Sequence, residues 1–154
     1  MKRYLILSLI AAALRILMPV PETGRASRPA AELKTRFAPV HVYLDSGDKP
    51  LAAYQFELKA VAGRIKIVGV EGGEHPAFQE APYYDPAALM NGRIIIAAFN
   101  TGADLPQGRT RIAIIHLQIL GDVEPEYDLK LTTAADAEDH EISAQLDLER
   151  GDRK

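Results

Sequence analysis

The chain has 154 residues, enough for one domain with a substantial core but too few for two comfortable ones. It has no cysteine, which excludes disulfides, thiolate nucleophiles and cysteine metal sites, and no tryptophan, which disfavours a broad aromatic platform for carbohydrate. The net charge is −3, but residues 32–154 hold 13 of the 18 bases and 20 of the 21 acids. Such an acidic region should repel phosphate backbones, so we expect no nucleic-acid binding.

The N-terminal segment begins with two bases and continues with an apolar run. Lys2 and Arg3 precede the run at residues 4–14, and Arg15 separates it from a second apolar stretch at residues 16–20. A basic start followed by apolar residues is the pattern of a secretory signal, and the two bases place the N-terminus in the cytoplasm. We therefore expect export to the periplasmic or cell-surface side.

Residues 1–21 are predicted to be either a signal peptide or a membrane anchor helix. The run that ends at Leu14 has signal-peptide length, with a cleavage point after Ala26. A retained anchor in the inner membrane requires Arg15 to snorkel or to pair with another subunit, at less than the roughly 2.5–3.5 kcal/mol of a midplane arginine. The residues that would form the membrane segment are Leu5, Leu9, Leu14, Arg15 and Leu17. Both readings stay open.

Residues 22–38 are predicted to be an extended tether. Prolines recur at Pro19, Pro21, Pro29 and Pro39, and few apolar residues accompany them. The folded domain is expected over residues 39–150.

From Val40 onward the hydrophobic period is two, which predicts strands with one buried and one solvated face. Two stretches, 93–99 and 112–120, are more continuously apolar and predict central strands covered on both faces, or on one face by the long loop. The alternating stretches are 40–44, 54–58, 65–68, 127–132 and 142–148. Because Gly/Pro turns separate them without a βαβ rhythm, the fold class is predicted to be an all-β antiparallel sandwich.

One long loop, Pro76 to Met90, interrupts this pattern. It is expected to contain one helical turn near Leu89, with Asp85 as the N-cap and Pro86 at the first helical position. Two adjacent tyrosines, Tyr83 and Tyr84, precede that turn. We expect one ring to cover the edge of the core and the other to be exposed as a partner contact.

The succession of strands resembles a cohesin-type domain over about residues 38–149. The stretches that carry the resemblance are 51–58, 65–73, 92–99, 105–108 followed by 112–119, and 129–136. The resemblance implies a jelly-roll sandwich of about nine strands, related to some carbohydrate-binding modules. It also implies a non-catalytic domain that binds a protein, typically a docking module.

An acidic turn follows residue 135 and is the candidate calcium site. Carboxylates of Asp136, Glu138 and Asp139 are ligands that calcium accepts, but the turn lacks a coordinating glycine and EF-hand spacing. A solvated hairpin turn is the favoured interpretation. No histidine pair has the spacing of a metal site, and no nucleophile elbow or phosphate-binding loop occurs, so no enzyme is expected.

Three functions follow from these patterns. The first is an exported protein-interaction or scaffold module, tethered to the membrane or part of an envelope assembly. The second is an accessory subunit of a membrane complex, with the N-terminal helix retained and the sandwich capping the periplasmic face. The third is a carbohydrate-binding module, ranked last because Tyr43 is the only strand aromatic whose alternation points outward.

Overall fold

A computed structural model of the protein describes residues 34–151. Within them the chain forms eight β-strands and two 3₁₀ helices, Pro76–Phe78 and Pro86–Ala88. In chain order the strands are β1 (Thr35–Asp45), β2 (Ala53–Ala62), β3 (Arg64–Gly72), β4 (Tyr83–Tyr84), β5 (Arg93–Phe99), β6 (Arg109–Leu120), β7 (Glu126–Ala135) and β8 (Gln145–Arg150). The prediction of an all-β fold is confirmed.

The strands form two four-stranded sheets in which every pairing is antiparallel. Sheet I has the order β3-β6-β1-β8, and sheet II has the order β4-β5-β2-β7. Only β4 and β5 are consecutive strands of the same sheet, so the other connections cross from one sheet to the other. Such crossing brings distant parts of the chain together at each sheet.

The described residues contain eight strands rather than the expected nine, and the ends of two predicted strands shift. Residues 142–144, predicted as strand, are irregular, and β8 begins at Gln145. A lone bridge between Ala135 and Glu141 closes the preceding turn instead. At the other end of the domain, β1 begins at Thr35, inside the segment assigned to the tether, because it pairs with β6 from Leu120 onward.

Pro39 lies within β1 although proline cannot donate a main-chain hydrogen bond. Its carbonyl accepts from the backbone N–H of Gly151, beyond the end of the β1–β8 pairing at Val40. The nitrogen of Pro39 therefore faces the β8 side of β1. The absent N–H leaves the hydrogen bonds between β1 and β6 intact.

The two sheets share one apolar core, as in a β-sandwich. Sheet I contributes residues such as Val42 and Ile115, sheet II contributes Phe56 and Ile96, and all four have no or almost no exposed surface. Phe78, from the first 3₁₀ helix, meets the ring of Tyr54 edge-on at 5.1 Å and covers one end of this core. Burial of such side chains is the main favourable term in folding.

The turn between β2 and β3 takes the chain from one sheet to the other at a single residue, Gly63. Its φ is +73°, and a Cβ atom there would lie 2.9 Å from the Cα of Pro125. Both the backbone conformation and the space require glycine.

The two continuously apolar strands are interior strands, as predicted, but β5 is not covered on both faces. Its even-numbered residues Ile94 and Ile96 are buried, while Ile95 and Phe99 on the other face are exposed. No second layer or loop covers that face among the described residues. The expectation of cover is wrong for β5, whose outer face is open to solvent.

Candidate interaction site

The outer face of sheet II carries a group of exposed apolar side chains, which we call the Tyr83 patch. It consists of the exposed residues Tyr83 on β4 and Ile95 and Phe99 on β5, with the half-buried Ala97 between them. The exposed fractions are 78% for Tyr83, 72% for Phe99 and 41% for Ile95. Tyr83 is directly opposite Ala97, so its diagonal neighbours on the same face are Ile95 and Phe99.

The two tyrosines point to opposite sides because they are consecutive residues of one strand. Tyr84 pairs with Ile96, a core residue, and packs against the core, whereas Tyr83 faces solvent. The expectation of one ring inward and one outward is confirmed, with Tyr84 only partly buried. Their role as partner contacts stays a prediction.

The chain on either side of the tyrosines is fixed by local hydrogen bonds. Asp85 directly follows β4. Its carboxylate accepts from the backbone N–H of Ala87 at 2.9 Å, and Pro86 occupies the first helical position. The predicted N-cap is therefore confirmed, although the turn that it caps is a 3₁₀ helix rather than an α-helical turn.

The loop before β4 is held against both sheets. A Cβ atom on Gly72 would lie 2.2 Å from the carbonyl oxygen of Gln79, so only glycine permits this close approach to β3. From the end of β5, the side-chain amide of Asn100 donates to the carbonyl of Ala77 at 2.9 Å and its oxygen accepts from the N–H of Gly102. These contacts fix the position of Tyr83 relative to Phe99.

Open hollows lie on both sides of Tyr83. One, of about 460 Å³, is lined by Tyr83, Ala97, Phe99, Gln55 and Thr133, and its walls are mostly apolar. The other, of about 820 Å³, lies toward Asp85, Lys59 and the start of β5. A partner could therefore insert a side chain on either side of the exposed ring.

A charged group adjoins the patch on the same face. Arg93 donates to both carboxylate oxygens of Glu57, at 2.9 and 2.7 Å. This hydrogen-bonded guanidinium lowers the pKa of Glu57, and Lys59 and Lys130 add to the effect. The face thus changes from aromatic to charged along the strands.

The acidic turn places only part of the predicted calcium set together. Ligand atoms of Asp136, Glu138 and His140 lie within 4.8 Å of one another, whereas Asp139 does not belong to this group. One oxygen of Asp136 accepts from the N–H groups of Glu138 and His140, and the bond from His140 is the main cause of a lowered Asp136 pKa. The carboxylate thus closes the turn, and calcium binding stays a prediction.

Two other ring-bearing side chains, those of Tyr43 and His116, lie away from the patch. Tyr43 is on sheet I, and the guanidinium of Arg109 lies 3.7 Å from its ring centre, so that ring face is covered. His116, also on sheet I, binds the carboxylate of Glu71 at 2.7 Å. Neither is available to the Tyr83 patch, which occupies the outer face of the other sheet.

The predicted membrane segment, Leu5, Leu9, Leu14, Arg15 and Leu17, lies outside the described residues. From residue 34 to residue 151, no helix is long and apolar enough to cross a bilayer.

No family model matches the chain, and neither the curated proteins nor the solved structures contain a match to it. The site therefore has to be interpreted from its own geometry. Sequence reasoning identified Tyr83 but missed Ile95 and Phe99, because a strand with apolar residues at every position resembles one that is buried on both faces. The same pattern also fits a strand with one exposed apolar face, as β5 has.

Proposed function

We propose that the chain is a non-catalytic protein-interaction module of an exported protein, and that it binds a protein partner through the Tyr83 patch. The observation that carries this proposal is the exposure of Tyr83 and Phe99 as neighbours on one sheet face. Contiguous exposed apolar surface is uncommon on monomeric proteins and marks interaction sites. Tyrosine and phenylalanine are enriched at protein interfaces, where a rigid ring offers large contact area at low entropic cost.

The surroundings of the patch favour a protein rather than a small apolar ligand. The hollows beside Tyr83 are shallow and open, and the Glu57–Arg93 pair with Lys59 lies along one side. An apolar centre with a polar rim is the usual anatomy of a protein interface.

The finer fold that we propose is a jelly roll of the cohesin type. The strand order supports it, because nearly every connection crosses between the sheets and two four-stranded antiparallel sheets result. The resemblance of the strand succession to cohesin-type domains points to the same fold and to a protein partner.

The proposed location is outside the cytoplasm, with the N-terminal segment acting as an export signal or as an inner-membrane anchor. The basic start and apolar run support export. Intact mass of the protein extracted from membranes separates the two forms. A loss of about 26 residues indicates cleavage, and full length indicates the anchored form that an accessory membrane subunit requires.

The interaction is tested by capture from an envelope extract with immobilised protein as bait. Three baits are compared: the wild type, the double variant Tyr83→Ser/Phe99→Ser, and Val123→Ser, which removes another exposed apolar side chain outside the patch. We expect at least one protein to be retained by the wild type and by Val123→Ser and lost with the double variant. The purified partner should then bind the wild type at least tenfold more tightly than the double variant, since anchors of this kind contribute about 2 kcal/mol or more. Equal recovery by all baits would contradict the proposal.

A carbohydrate ligand is the second candidate, and one observation favours it. Tyr83 and Phe99 flank a hollow that also contains the polar side chains of Gln55 and Thr133, and an aromatic surface with nearby hydrogen-bonding groups suits a sugar ring. A glycan array probed with the same three proteins separates the candidates. Glycan binding that disappears only with Tyr83→Ser/Phe99→Ser would replace the protein partner by a carbohydrate.

A further inference from the structure

A second feature of sheet II is its edge strand β7, which presents main-chain groups that can bind another strand. β2 lies on one side of β7, and none of the strands that the structure describes pairs with it on the other. Ten-residue edge strands are uncommon without protection, because their unpaired main-chain groups can bind another strand.

The hydrogen bonds of β2 show which groups of β7 are used. The N–H of Ala60 donates to the carbonyl of Gly92, and the N–H of Asn100 donates to the carbonyl of Ala52. Because bonding alternates along an antiparallel pair, even-numbered residues of β2 bond to β5 and odd-numbered residues bond to β7. The main-chain groups of Glu57 and Lys59 are therefore directed at β7.

Glu57 lies opposite Lys130 and Lys59 lies opposite Asp128, so the main-chain groups of Lys130 and Asp128 bond to β2. The main-chain groups of the alternate residues point to the outer edge of the sheet. These residues are Tyr127, Leu129 and Leu131. The same alternation directs Ala134 outward, and its carbonyl indeed accepts from the N–H of Ile142.

From Tyr127 to Leu131 this outer edge has no partner among residues 34–151. No backbone or side-chain hydrogen bond from a described residue reaches the outward main-chain groups of Tyr127, Leu129 or Leu131. The side chains of Asp128 and Lys130 are exposed. They lie opposite Lys59 and Glu57 of β2, and Lys130 helps to lower the pKa of Glu57, but neither forms a salt bridge within 4.0 Å among residues 34–151. The three inward side chains are only partly buried, which leaves apolar surface for a further strand to cover.

We propose that β7 pairs with β7 of a second copy of this chain, antiparallel and around a two-fold axis through Leu129. Tyr127 then lies opposite Leu131 of the other copy, and Leu129 lies opposite its own equivalent. All three are residues with outward main-chain groups, so each exchanges both hydrogen bonds with its opposite residue. The contact is the same surface on both subunits, as a two-fold dimer requires.

The charges select this register. With the axis at Leu129, Asp128 of each copy faces Lys130 of the other on the exposed side of the sheet. An axis at residue 128 places Asp128 against Asp128 between two Glu126–Lys130 pairs, and an axis at residue 130 places Lys130 against Lys130 without any opposite-charge pair. Only the axis at Leu129 gives opposite charges and no like-charge pair. Directly opposed like charges destabilise a strand pair, whereas opposite charges stabilise it.

The pairing is limited in length by the strand itself. The β2–β7 register shifts so that Thr132 has no residue opposite it, and such a bulge bends the strand and ends regular pairing. Dimerisation joins the two copies of sheet II into one continuous sheet of eight strands. Because the two-fold axis is perpendicular to that sheet, both Tyr83 patches lie on the same side and become a bivalent surface. The dimer itself does not depend on the function of the patch.

The test uses complementary charge variants of the full-length protein in sedimentation velocity at low ionic strength over a range of concentrations. Lys130→Asp places two acids against two acids across the axis, and Asp128→Lys places bases against bases. We expect the wild type to reach a dimer and each single variant to weaken dimerisation on the order of tenfold or more. An equimolar mixture of the two variants restores opposite charges at both positions, so it should form a heterodimer although neither variant dimerises well alone.

Two further variants complete the test, one as a control and one that blocks the pairing. Lys49→Asp, a charge reversal in an exposed turn, should dimerise like the wild type. Leu129→Pro removes an outward N–H that the β2 ladder does not use, so it should abolish the dimer, while a thermal melt reports whether the monomer stays folded. A wild type that stays monomeric throughout, or an association unchanged by Lys130→Asp and Asp128→Lys, would overturn the proposed pairing.

Discussion

The phenolic hydroxyl of Tyr54 donates a 2.9 Å hydrogen bond to the carbonyl of Ile112 across the core, joining the two sheets. Ile112 is the extra residue of a bulge in β6, since Val42 pairs with Ala113 and Tyr43 with Arg111. Ile112 has no exposed surface, so its carbonyl needs a partner inside the protein. Tyr54 supplies that hydrogen bond at the bulge, where regular pairing is interrupted.

Replacing Tyr54 by phenylalanine should lower the free energy of unfolding by about 1–3 kcal/mol, because the Ile112 carbonyl stays buried without a donor. Urea unfolding measured by circular dichroism gives the difference. Tyr43→Phe is the matched control, since the Tyr43 hydroxyl has no hydrogen bond to a described residue, and its change should stay within about 0.5 kcal/mol. Equal effects of the two substitutions would contradict a special role for the Tyr54 hydroxyl.

Alkaline pH should destabilise the domain through the same residue. Burial raises the pKa of Tyr54 above its usual value of 10.0, so the folded state keeps this proton while the unfolded chain loses it. The contribution of the Tyr54 hydroxyl to the free energy of unfolding is fully present below pH 10. It falls by about 1.4 kcal/mol for each pH unit above that value. We expect urea unfolding at pH 9 to 11 to show a steeper loss for the wild type than for Tyr54→Phe. Parallel curves would show that Tyr54 ionises as readily in the folded state.

Gly63→Ala should destabilise the domain by about 1–3 kcal/mol, because alanine disfavours a positive φ and its Cβ would meet the backbone of Pro125. Gly69→Ala is the control, since a Cβ there finds its nearest atom at an ordinary 3.7 Å. Thermal unfolding of both variants measures the difference. A neutral Gly63→Ala would mean that the β2–β3 turn relaxes without cost.

Calcium should not be needed for folding of the acidic turn. The Asp136 carboxylate already accepts two backbone N–H groups and lies 3.3 Å from the His140 ring, so the turn is closed without a cation. We expect the same thermal midpoint in chelator and in millimolar calcium. A saturable rise in the midpoint that disappears in Asp136→Asn would instead establish the site predicted from the sequence.

Several elements could be predicted from the local sequence pattern alone. Alternation at Tyr54–Leu58 and Val40–Leu44 predicted strands with a buried face, and Asp85-Pro86 predicted a capped turn. Consecutive placement of Tyr83 and Tyr84 in an extended segment was enough to expect one ring inside and one outside. These features depend on periodicity and on hydrogen bonds between residues a few positions apart, which a sequence states directly.

Other features depended on contacts between distant residues. The apolar sequence of β5 predicted a strand covered on both faces, or on one face by the long loop. Ile95 and Phe99 are nevertheless exposed, because no element within residues 34–151 packs on the outer side of sheet II. The group of possible ligands in the acidic turn includes His140 rather than Asp139. The Asp136 carboxylate accepts from the backbone N–H of His140, which brings the two residues together. Sequence spacing does not show which direction such a turn takes.

The sequence by itself determined the period of the strands, the positions of the turns, and the basic, apolar start that favours export. Tertiary structure alone decided which strands became edges and which faces stayed open. Whether a residue is covered depends on the strand order of the sheets, and that order results from crossing connections between residues far apart in the chain. For this reason the Tyr83 patch and the unpaired edge of β7 were visible only after the two sheets had been assembled.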